Sequence, residues 1–159
     1  SAYHQTARSR VGARGLMQLM PATARETAKK YDIDYKHPDE LFQLRTNVEL
    51  GTAYLSQMLE RFDGNTVYAT AAYNAGPHRV KRWLEQRGDL PLDAWIETIP
   101  FDETRKYVQN VLTYRVIYDV LSSNPSRLLN DKETASLALS SLNLKKGPLE
   151  TKVPSTQIQ

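Results

Sequence analysis

The sequence predicts an all-α fold followed by a C-terminal extension. Two long segments carry apolar side chains at helical spacing: one leads up to Asp63-Gly64, and the other runs from Asp102 to about Leu121. Glycine and proline punctuate the connections, which is typical of helices joined by short turns. Because 159 residues allow one domain, we expect a single helical domain over residues 1–121 and an extension over residues 122–159.

The composition excludes several classes of function. The formal net charge of +3 is mildly basic and favours approach to an anionic polymer without identifying it. Nucleic acid is not an expected partner, because the sequence has no long run of lysine and arginine. With no cysteine, the chain has neither disulfides nor thiolate nucleophiles. The histidines are scattered and His78 has no partner at ligand spacing, so we expect no metal site.

The stretch from Val11 to Pro21 predicts a tight turn that leads into a helix. Gly12 and Gly15 permit backbone angles and close approaches that a Cβ would forbid. Gln18 is the polar side chain among apolar neighbours, so its amide must find hydrogen-bond partners. A sugar could supply them, and an ordinary loop-to-helix junction with a satisfied amide is the other interpretation.

The next helices follow from start and stop signals. Pro21 can open a helix that continues to Tyr31, and a loop is expected from Asp32 to Leu44. Asn47 is the expected cap of the following helix, which ends at Asp63-Gly64. The apolar positions of that helix are Leu50, Tyr54, Leu55, Met58, Leu59 and Phe62.

A third helix carries a possible binding motif at its end. Asn65 is its expected cap, and alanines at 69, 71 and 72 would let another backbone approach closely before the helix stops at Gly76-Pro77. Tyr73 and Asn74 lie in the last turn, where side chains can point into a cleft. Packing for Tyr73 and capping for Asn74 are the alternatives on local physics.

Three more helices complete the predicted domain. The first runs from Pro77 to Gly88 with a basic, solvated face, and a short one lies within Pro91 to Ile99. Asp102 is the expected cap of the last, whose first turn holds Glu103, a position that the helix dipole alone also favours for an acid. We expect its buried stripe to comprise Val108, Val111, Leu112, Val116, Ile117 and Val120.

Three motifs in order resemble the catalytic domain of the soluble lytic transglycosylases. They are Gly-Leu-Met-Gln at residues 15–18, Ala-Tyr-Asn at 72–74, and Glu-Thr-Arg at 103–105 with Tyr107. Those enzymes are relatives of goose-type lysozyme that cut the glycan strands of bacterial peptidoglycan. The resemblance covers Ser1 to about Leu121 and implies a lysozyme-like helical domain of the goose type.

The resemblance also implies substrate contacts. It places Ser9 against the catalytic glutamate and the N-acetyl group of the substrate, although most loop serines bond only a nearby backbone group. It places Tyr73 within reach of that glutamate, Asn74 along the sugar site, and Tyr107 beside the sugar. The complete set of implied substrate-binding residues is Ser9, Gln18, Met20, Tyr73, Asn74, Glu103 and Tyr107.

The family's catalytic residue is expected outside this sequence. Its first motif is a Glu-Ser pair whose glutamate is the sole acid and base, and by spacing this glutamate falls immediately before Ser1. The resemblance implies that it protonates the leaving oxygen of the MurNAc-GlcNAc β-1,4 bond and then acts as base. The C6 hydroxyl of the muramic acid attacks C1 and forms a 1,6-anhydro end, so neither a metal nor an organic cofactor is required.

The implied partners are peptidoglycan glycan strands and an N-terminal segment of the same, larger parent protein. A periplasmic location is implied, with association with the outer membrane left open. In the extension, Glu133 to Leu144 could form one amphipathic helix. Two alternatives remain: an inactive glycan-binding module and a hydrolytic goose-type lysozyme. The Ala-Tyr-Asn and Glu-Thr-Arg motifs together favour the transglycosylases.

Overall fold

The structure is a computed structural model that describes residues 4–122. Along this part of the chain, six α-helices and one short 3-10 helix follow one another, which confirms the all-α prediction. In order they are α1 (Pro21–Tyr31), the 3-10 helix (Pro38–Phe42), α2 (Leu44–Arg61), α3 (Thr66–Ala75), α4 (Pro77–Arg87), α5 (Leu92–Glu97) and α6 (Asp102–Leu121). None of these helices is long and apolar enough to cross a membrane. The predicted extension and its helix at Glu133 to Leu144 lie outside the described residues.

Helix α3 is the centre of the domain, because it packs against α2, α4 and α6. The predicted cap is confirmed, since the Asn65 side chain accepts a hydrogen bond from the Tyr68 N–H. Gly76 takes a φ of 90° after the helix, and Pro77 then begins α4. The small side chains that permit this close packing are buried: Ala69, Ala71, Ala72 and Ala75.

Two clusters of buried side chains form the core. The larger one joins α3 to α4, α5 and α6 and contains Met58 and Trp95. The smaller one lies between α1, α2 and the segment that precedes α1. Tyr54 packs against both clusters, so α2 connects them. The members of the smaller cluster are Leu19, Ala24, Ala28, Leu41 and Leu50.

The start of α2 differs from the prediction. The helix begins at Leu44, directly after the 3-10 helix, and Gln43 occupies the N-cap position. The prediction that Asn47 caps this helix is therefore wrong: Asn47 is the fourth helical residue and only 1% exposed. A buried asparagine at such a position must bond another part of the chain.

The start of α6 also differs from the prediction. Asp102 is the first helical residue and not the cap, and Phe101 precedes it without a side-chain capping bond. The Asp102 carboxylate instead pairs with the guanidinium of Arg105 in the first turn. The acid still lies at the positive end of the helix dipole, so the expected electrostatic benefit remains.

Helix α3 covers α6 only as far as Arg115. The two helices run antiparallel, since Thr104 bonds Asn74 at one end of α3 and Arg115 bonds Thr66 at the other. The prediction of a buried stripe is thus confirmed at Val108 and wrong further along, where the helix extends past α3. Ile117 is 45% exposed and Val120 is 63% exposed, while the half-buried positions are Val111, Leu112 and Val116.

Candidate active site

Residues 14–19 form a tight turn, called the Gln18 turn below. Arg14 and Leu19 pair in antiparallel fashion, and each donates its N–H to the other's carbonyl, at 2.9 and 3.1 Å. Gly15 and Gln18 have φ angles of 73° and 49°, in the left-handed region. The predicted turn is confirmed, and so is the predicted start of the next helix, because α1 begins at Pro21. A glutamine in this conformation must be held by its surroundings.

Two glycines let the Gln18 turn lie directly on the 3-10 helix and α2. A Cβ added to Gly15 would lie 2.2 Å from the carbonyl oxygen of Leu41 and 2.4 Å from Nδ2 of Asn47. A Cβ added to Gly51 would lie 2.7 Å from the Cβ of Met17. These separations are far below van der Waals contact, so any larger residue would displace the turn.

Asn47 fastens the turn to α2 through both ends of its side-chain amide. Its Oδ1 accepts a hydrogen bond from the Met17 N–H at 2.6 Å, and its Nδ2 donates to the Arg14 carbonyl at 3.0 Å. The amide thus pairs the Met17 N–H and gives the Arg14 carbonyl a second hydrogen bond, beside the one it accepts from the Leu19 N–H.

Backbone carbonyls orient the side chain of Gln18. Its Nε2 donates to the Gly15 carbonyl at 2.7 Å and to the Ala7 carbonyl at 3.3 Å. Both amide protons are therefore committed, and the Oε1 of this exposed residue is left to accept a hydrogen bond. This arrangement suits a ligand that carries hydroxyl or amide donors.

Tyr73 links the end of α3 to the Gln18 turn. Its hydroxyl donates to the Met17 carbonyl at 3.0 Å, and its ring packs against that of Tyr54 with centroids 5.2 Å apart. The motif that ends α3 and the turn that precedes α1 are separated by more than fifty residues in sequence. This hydrogen bond joins them directly.

The phenols beside the turn are neutral at physiological pH. Burial raises the pKa of Tyr73 well above its usual value of 10.0, and the nearby phenols of Tyr107 and Tyr54 raise that pKa further. Burial also raises the pKa of Tyr107. These hydroxyls can therefore donate and accept hydrogen bonds at neutral pH.

Asn74 follows Tyr73 and contacts the first turn of α6, which also contains Glu103. The Thr104 hydroxyl donates to Asn74 Oδ1 at 2.6 Å, which leaves the exposed Nδ2 of Asn74 as a donor. Glu103 precedes Thr104 in the first turn of α6 and is exposed. Among residues 4–122, no hydrogen bond or ion pair joins Glu103 to the Gln18 turn.

Ser9 and Met20 flank the Gln18 turn. The Ser9 hydroxyl oxygen accepts a hydrogen bond from the Ala13 N–H at 3.0 Å, and its backbone N–H donates to the Ala13 carbonyl at 2.9 Å. Ser9 therefore makes the backbone bond that is common for loop serines, although its hydroxyl proton remains available. Met20 stands at the N-cap position of α1 and is 39% exposed, so it presents apolar surface next to Gln18.

The structure brings Tyr73 into contact with the Gln18 turn and near Tyr107, whereas no hydrogen bond or ion pair among residues 4–122 joins Ser9, Met20 or Glu103 to Tyr73. Three further residues, which sequence reasoning missed, support this arrangement. The missed residues are Asn47, Gly51 and Thr104, which hold the turn or Asn74 in place. Gly51 carried a signal, because a glycine inside a helical pattern is destabilising compared with alanine and invites a search for a close packing contact. Asn47 carried one too, since it shares a helix face with Leu50, a position that a solvated polar residue would avoid.

Comparisons with known proteins assign the class. The family described as "Transglycosylase SLT domain" matches residues 1–96, and "Soluble lytic transglycosylase helical domain" matches residues 98–126. Because the first match covers more than half of the chain, the chain belongs to the transglycosylase SLT domain family. The resemblance to soluble lytic transglycosylases that the three motifs carry is confirmed.

Individual relatives agree with this assignment. The chain is 44% identical over 135 residues to the soluble lytic murein transglycosylase of Salmonella typhimurium strain LT2, covering 84% of this chain and 21% of the relative. It is 42% identical over 135 residues to the protein of the same name in Escherichia coli K12, with the same coverage. The chain therefore spans about a fifth of these curated relatives, so the match identifies a domain of them.

Solved structures are similar to the same region. One is an inactive glutamate-to-glutamine mutant of the lytic transglycosylase Slt from Pseudomonas aeruginosa, with 53% identity and a TM-score of 0.78. Another is the 70-kDa soluble lytic transglycosylase of Escherichia coli, with 41% identity and a TM-score of 0.80. Each match covers 84% of this chain and 22% of the other, which confirms the lysozyme-like all-α fold.

Proposed function

We propose that this chain forms the glycan-binding cleft of a peptidoglycan lytic transglycosylase. The observation that carries the proposal is the hydrogen bond from the Tyr73 hydroxyl to the Met17 carbonyl. It brings the Gly-Leu-Met-Gln and Ala-Tyr-Asn motifs to one place, as a single site requires. The substrate is the MurNAc-GlcNAc β-1,4 bond of peptidoglycan, and the products carry 1,6-anhydro-MurNAc ends.

Polar groups with opposite roles line this cleft. Gln18 offers its Oε1 as an acceptor and Asn74 offers its Nδ2 as a donor, so together they match the hydroxyl and N-acetyl groups of a sugar. Glu103 supplies a carboxylate acceptor for sugar hydroxyls. Met20 contributes an exposed apolar contact for a sugar face, and Ser9 contributes its hydroxyl proton.

Tyrosines organise the reacting end of the cleft. The Tyr73 hydroxyl donates to the Met17 carbonyl. Its oxygen lone pairs can therefore accept a hydrogen bond from another donor, such as a neutral carboxylic acid. Burial raises the pKa of both Tyr73 and Tyr107 and keeps both phenols uncharged, and the nearby Tyr107 raises the pKa of Tyr73 further. In this proposal Tyr107 contacts the sugar. A neutral, half-buried surrounding of this kind raises the pKa of a carboxyl placed in it and suits a general acid.

One glutamate supplies the acid and base chemistry in this proposal. It protonates the glycosidic oxygen as the bond to C1 breaks, and then removes the proton from the C6 hydroxyl as that oxygen bonds to C1. The sugar therefore closes on itself and water is not consumed. The Pseudomonas aeruginosa relative supports a glutamate in this role, since replacing one of its glutamates by glutamine gives an inactive mutant.

The site of action follows from the substrate. Peptidoglycan lies outside the cytoplasmic membrane, so we place the natural protein in the periplasm. Relatives include proteins named as soluble and proteins named as membrane-bound lytic murein transglycosylases. Outer-membrane association is compatible with the second group of names.

The proposal is tested by incubating the natural protein with purified sacculi and measuring the masses of the released muropeptides by mass spectrometry. We expect ends that are lighter by one water than hydrolysed ends. Ends that retain the water would assign the chain to a hydrolytic lysozyme. Binding of glycan fragments without any release would assign it to an inactive binding module, and either result would overturn the proposal.

A further inference from the structure

The peptide groups on both sides of Met17 are held by side chains from two different helices. The Met17 N–H donates to Asn47 on α2, and the Met17 carbonyl accepts from Tyr73 on α3. Gln18 follows directly and takes a left-handed backbone conformation that most residues avoid. The direction of the Gln18 side chain therefore depends on these two contacts.

The position of Asn47 has no explanation within its own helix. It is the fourth residue of α2, where its backbone N–H already bonds the Gln43 carbonyl, and asparagine is a poorer helix former than alanine. Its side chain is 1% exposed, so it cannot serve solubility either. Its two amide bonds both go to the Gln18 turn, at Met17 and Arg14.

We propose that Asn47 is a positioning residue for the glycan cleft. It fixes the Gln18 turn in the shape that directs the Gln18 acceptor and the Met17 carbonyl toward the substrate and Tyr73. Gly51, one helical turn further along α2, leaves the room that the Met17 side chain needs in this arrangement. The inference rests on the proposed function for its catalytic consequence. The two hydrogen bonds from Asn47 to Met17 and Arg14, called the Asn47 clamp or simply the clamp, can be tested without catalysis.

The first test measures the clamp by hydrogen exchange in the natural protein. Asn47→Leu keeps the approximate size of the side chain and removes both amide bonds. We expect the Met17 and Gln18 amides to exchange faster by on the order of tenfold, while amides in α3 and α4 are unchanged. Unchanged exchange at Met17 would overturn the proposal.

The second test separates positioning from stability. Gly51→Ala should strengthen α2 as an isolated helix, yet its Cβ meets Met17 and must shift the turn. We expect kcat for muropeptide release to fall roughly tenfold to a hundredfold in both Asn47→Leu and Gly51→Ala, with a smaller change in KM. Leu92→Ala, buried in the other core cluster, is the matched control and should lose stability while retaining kcat.

A third test uses Asn47→Asp, a conservative variant that should recover activity at low pH. In Asn47→Asp, the introduced carboxyl can accept from the Met17 N–H in either protonation state, but it can donate to the Arg14 carbonyl only when it is protonated. We expect the ratio of its kcat to that of the unmodified protein to rise as the pH falls, whereas the ratio for Asn47→Leu stays flat. Equal, pH-independent losses in both variants would contradict the positioning role.

The two proposals fail in different ways. If the unmodified protein releases no anhydro ends but Asn47→Leu still speeds exchange at Met17, the proposed function fails and the clamp stands. If anhydro ends are released and kcat in the Asn47 and Gly51 variants matches Leu92→Ala, the positioning role fails and the proposed function stands.

Discussion

At the scale of single residues, one hydroxyl connects two motifs that are distant in sequence. Tyr73 can be identified from the sequence because it stands in an Ala-Tyr-Asn motif, but its partner cannot. The partner is the backbone carbonyl of Met17, and every residue has such a group, so no side-chain pattern marks it. Only the three-dimensional structure shows which carbonyl accepts the bond.

Replacing this hydroxyl gives a direct prediction. Tyr73→Phe keeps the ring contact with Tyr54 and removes the hydrogen bond to Met17. We expect the free energy of unfolding to fall by about 1 kcal/mol and kcat to fall by up to about tenfold, the range for a hydrogen bond between neutral groups. Urea unfolding and muropeptide release measure the two effects.

Tyr114→Phe is the control for that substitution. Tyr114 is 60% exposed on α6, so losing its hydroxyl should change neither quantity. If Tyr73→Phe behaved like Tyr114→Phe in both assays, the hydroxyl would have no part in holding the turn or in catalysis.

The same burial predicts a dependence on alkaline pH. Burial raises the pKa of four phenols above 10.0, so tyrosinate absorbance should rise in two steps, with these four ionising after the exposed ones. A phenol with a raised pKa in the folded state contributes stability that is complete below about pH 10 and lost as the pH rises through the folded-state pKa. The four are Tyr35, Tyr54, Tyr73 and Tyr107.

Absorbance and circular dichroism recorded on the same alkaline titration check this prediction. We expect no loss of helical signal below pH 10 from these groups and a progressive loss above it. A single tyrosinate step near pH 10 in the fully folded protein would mean that the four phenols are not buried as described.

At the scale of elements, the shape of the Gln18 turn depends on glycine at position 15. The sequence showed that Gly15 needed unusual space or angles, and the structure shows that it needs both. The sequence could not show which surface the turn presses against, because Leu41 and Asn47 lie about thirty residues further along. The residues of the turn predict that it forms, and long-range packing decides where it lies.

Two alanine substitutions distinguish the steric cost of a Cβ at Gly15 from the cost of its left-handed backbone angle. Gly15 and Gly64 have similar φ values of 73° and 78°, but a Cβ on Gly64 meets nothing within 4 Å. Gly64→Ala should cost about 1–2 kcal/mol of unfolding free energy from the left-handed conformation alone. Gly15→Ala should cost at least about 2 kcal/mol more, because its Cβ also collides with backbone.

Thermal and urea unfolding of the two variants measure the difference. We expect Gly15→Ala to lose activity as well, since the turn must move away from α2, whereas Gly64→Ala retains it. Equal destabilisation of the two variants would show that the Gln18 turn is not pressed against Leu41 and Asn47.

Helix α6 shows where helical periodicity misleads. An apolar stripe predicts burial only as far as another element covers it, and α3 covers α6 up to Arg115. We therefore expect Val108→Ala to cost about 2 kcal/mol of unfolding free energy in this chain. Ile117→Gln should stay within about 0.5 kcal/mol of the unmodified chain, as surface substitutions do.

Urea unfolding of both α6 variants checks this prediction. A loss at Ile117 as large as the loss at Val108 would mean that the far end of the helix is covered. That result would also restore the prediction of a continuous buried stripe.

At the scale of the whole molecule, the helical class and most helix ends followed from local signals. Asn65, Gly76-Pro77 and Gly88 mark helix boundaries through capping and backbone chemistry that act within a few residues. The capping roles expected for Asn47 and Asp102 were wrong because both residues lie inside their helices and their side chains bond other partners. The cleft could be predicted as a set of motifs, but not as a geometry.

The measurement that tests the central claim most directly is digestion of sacculi by the natural protein in water enriched in heavy oxygen. If the C6 hydroxyl of the muramic acid attacks C1, no oxygen from the solvent enters the product. We therefore predict anhydro ends without the heavy isotope, as seen by mass spectrometry. Released ends that carry the heavy isotope at C1 would show attack by water and would contradict the account.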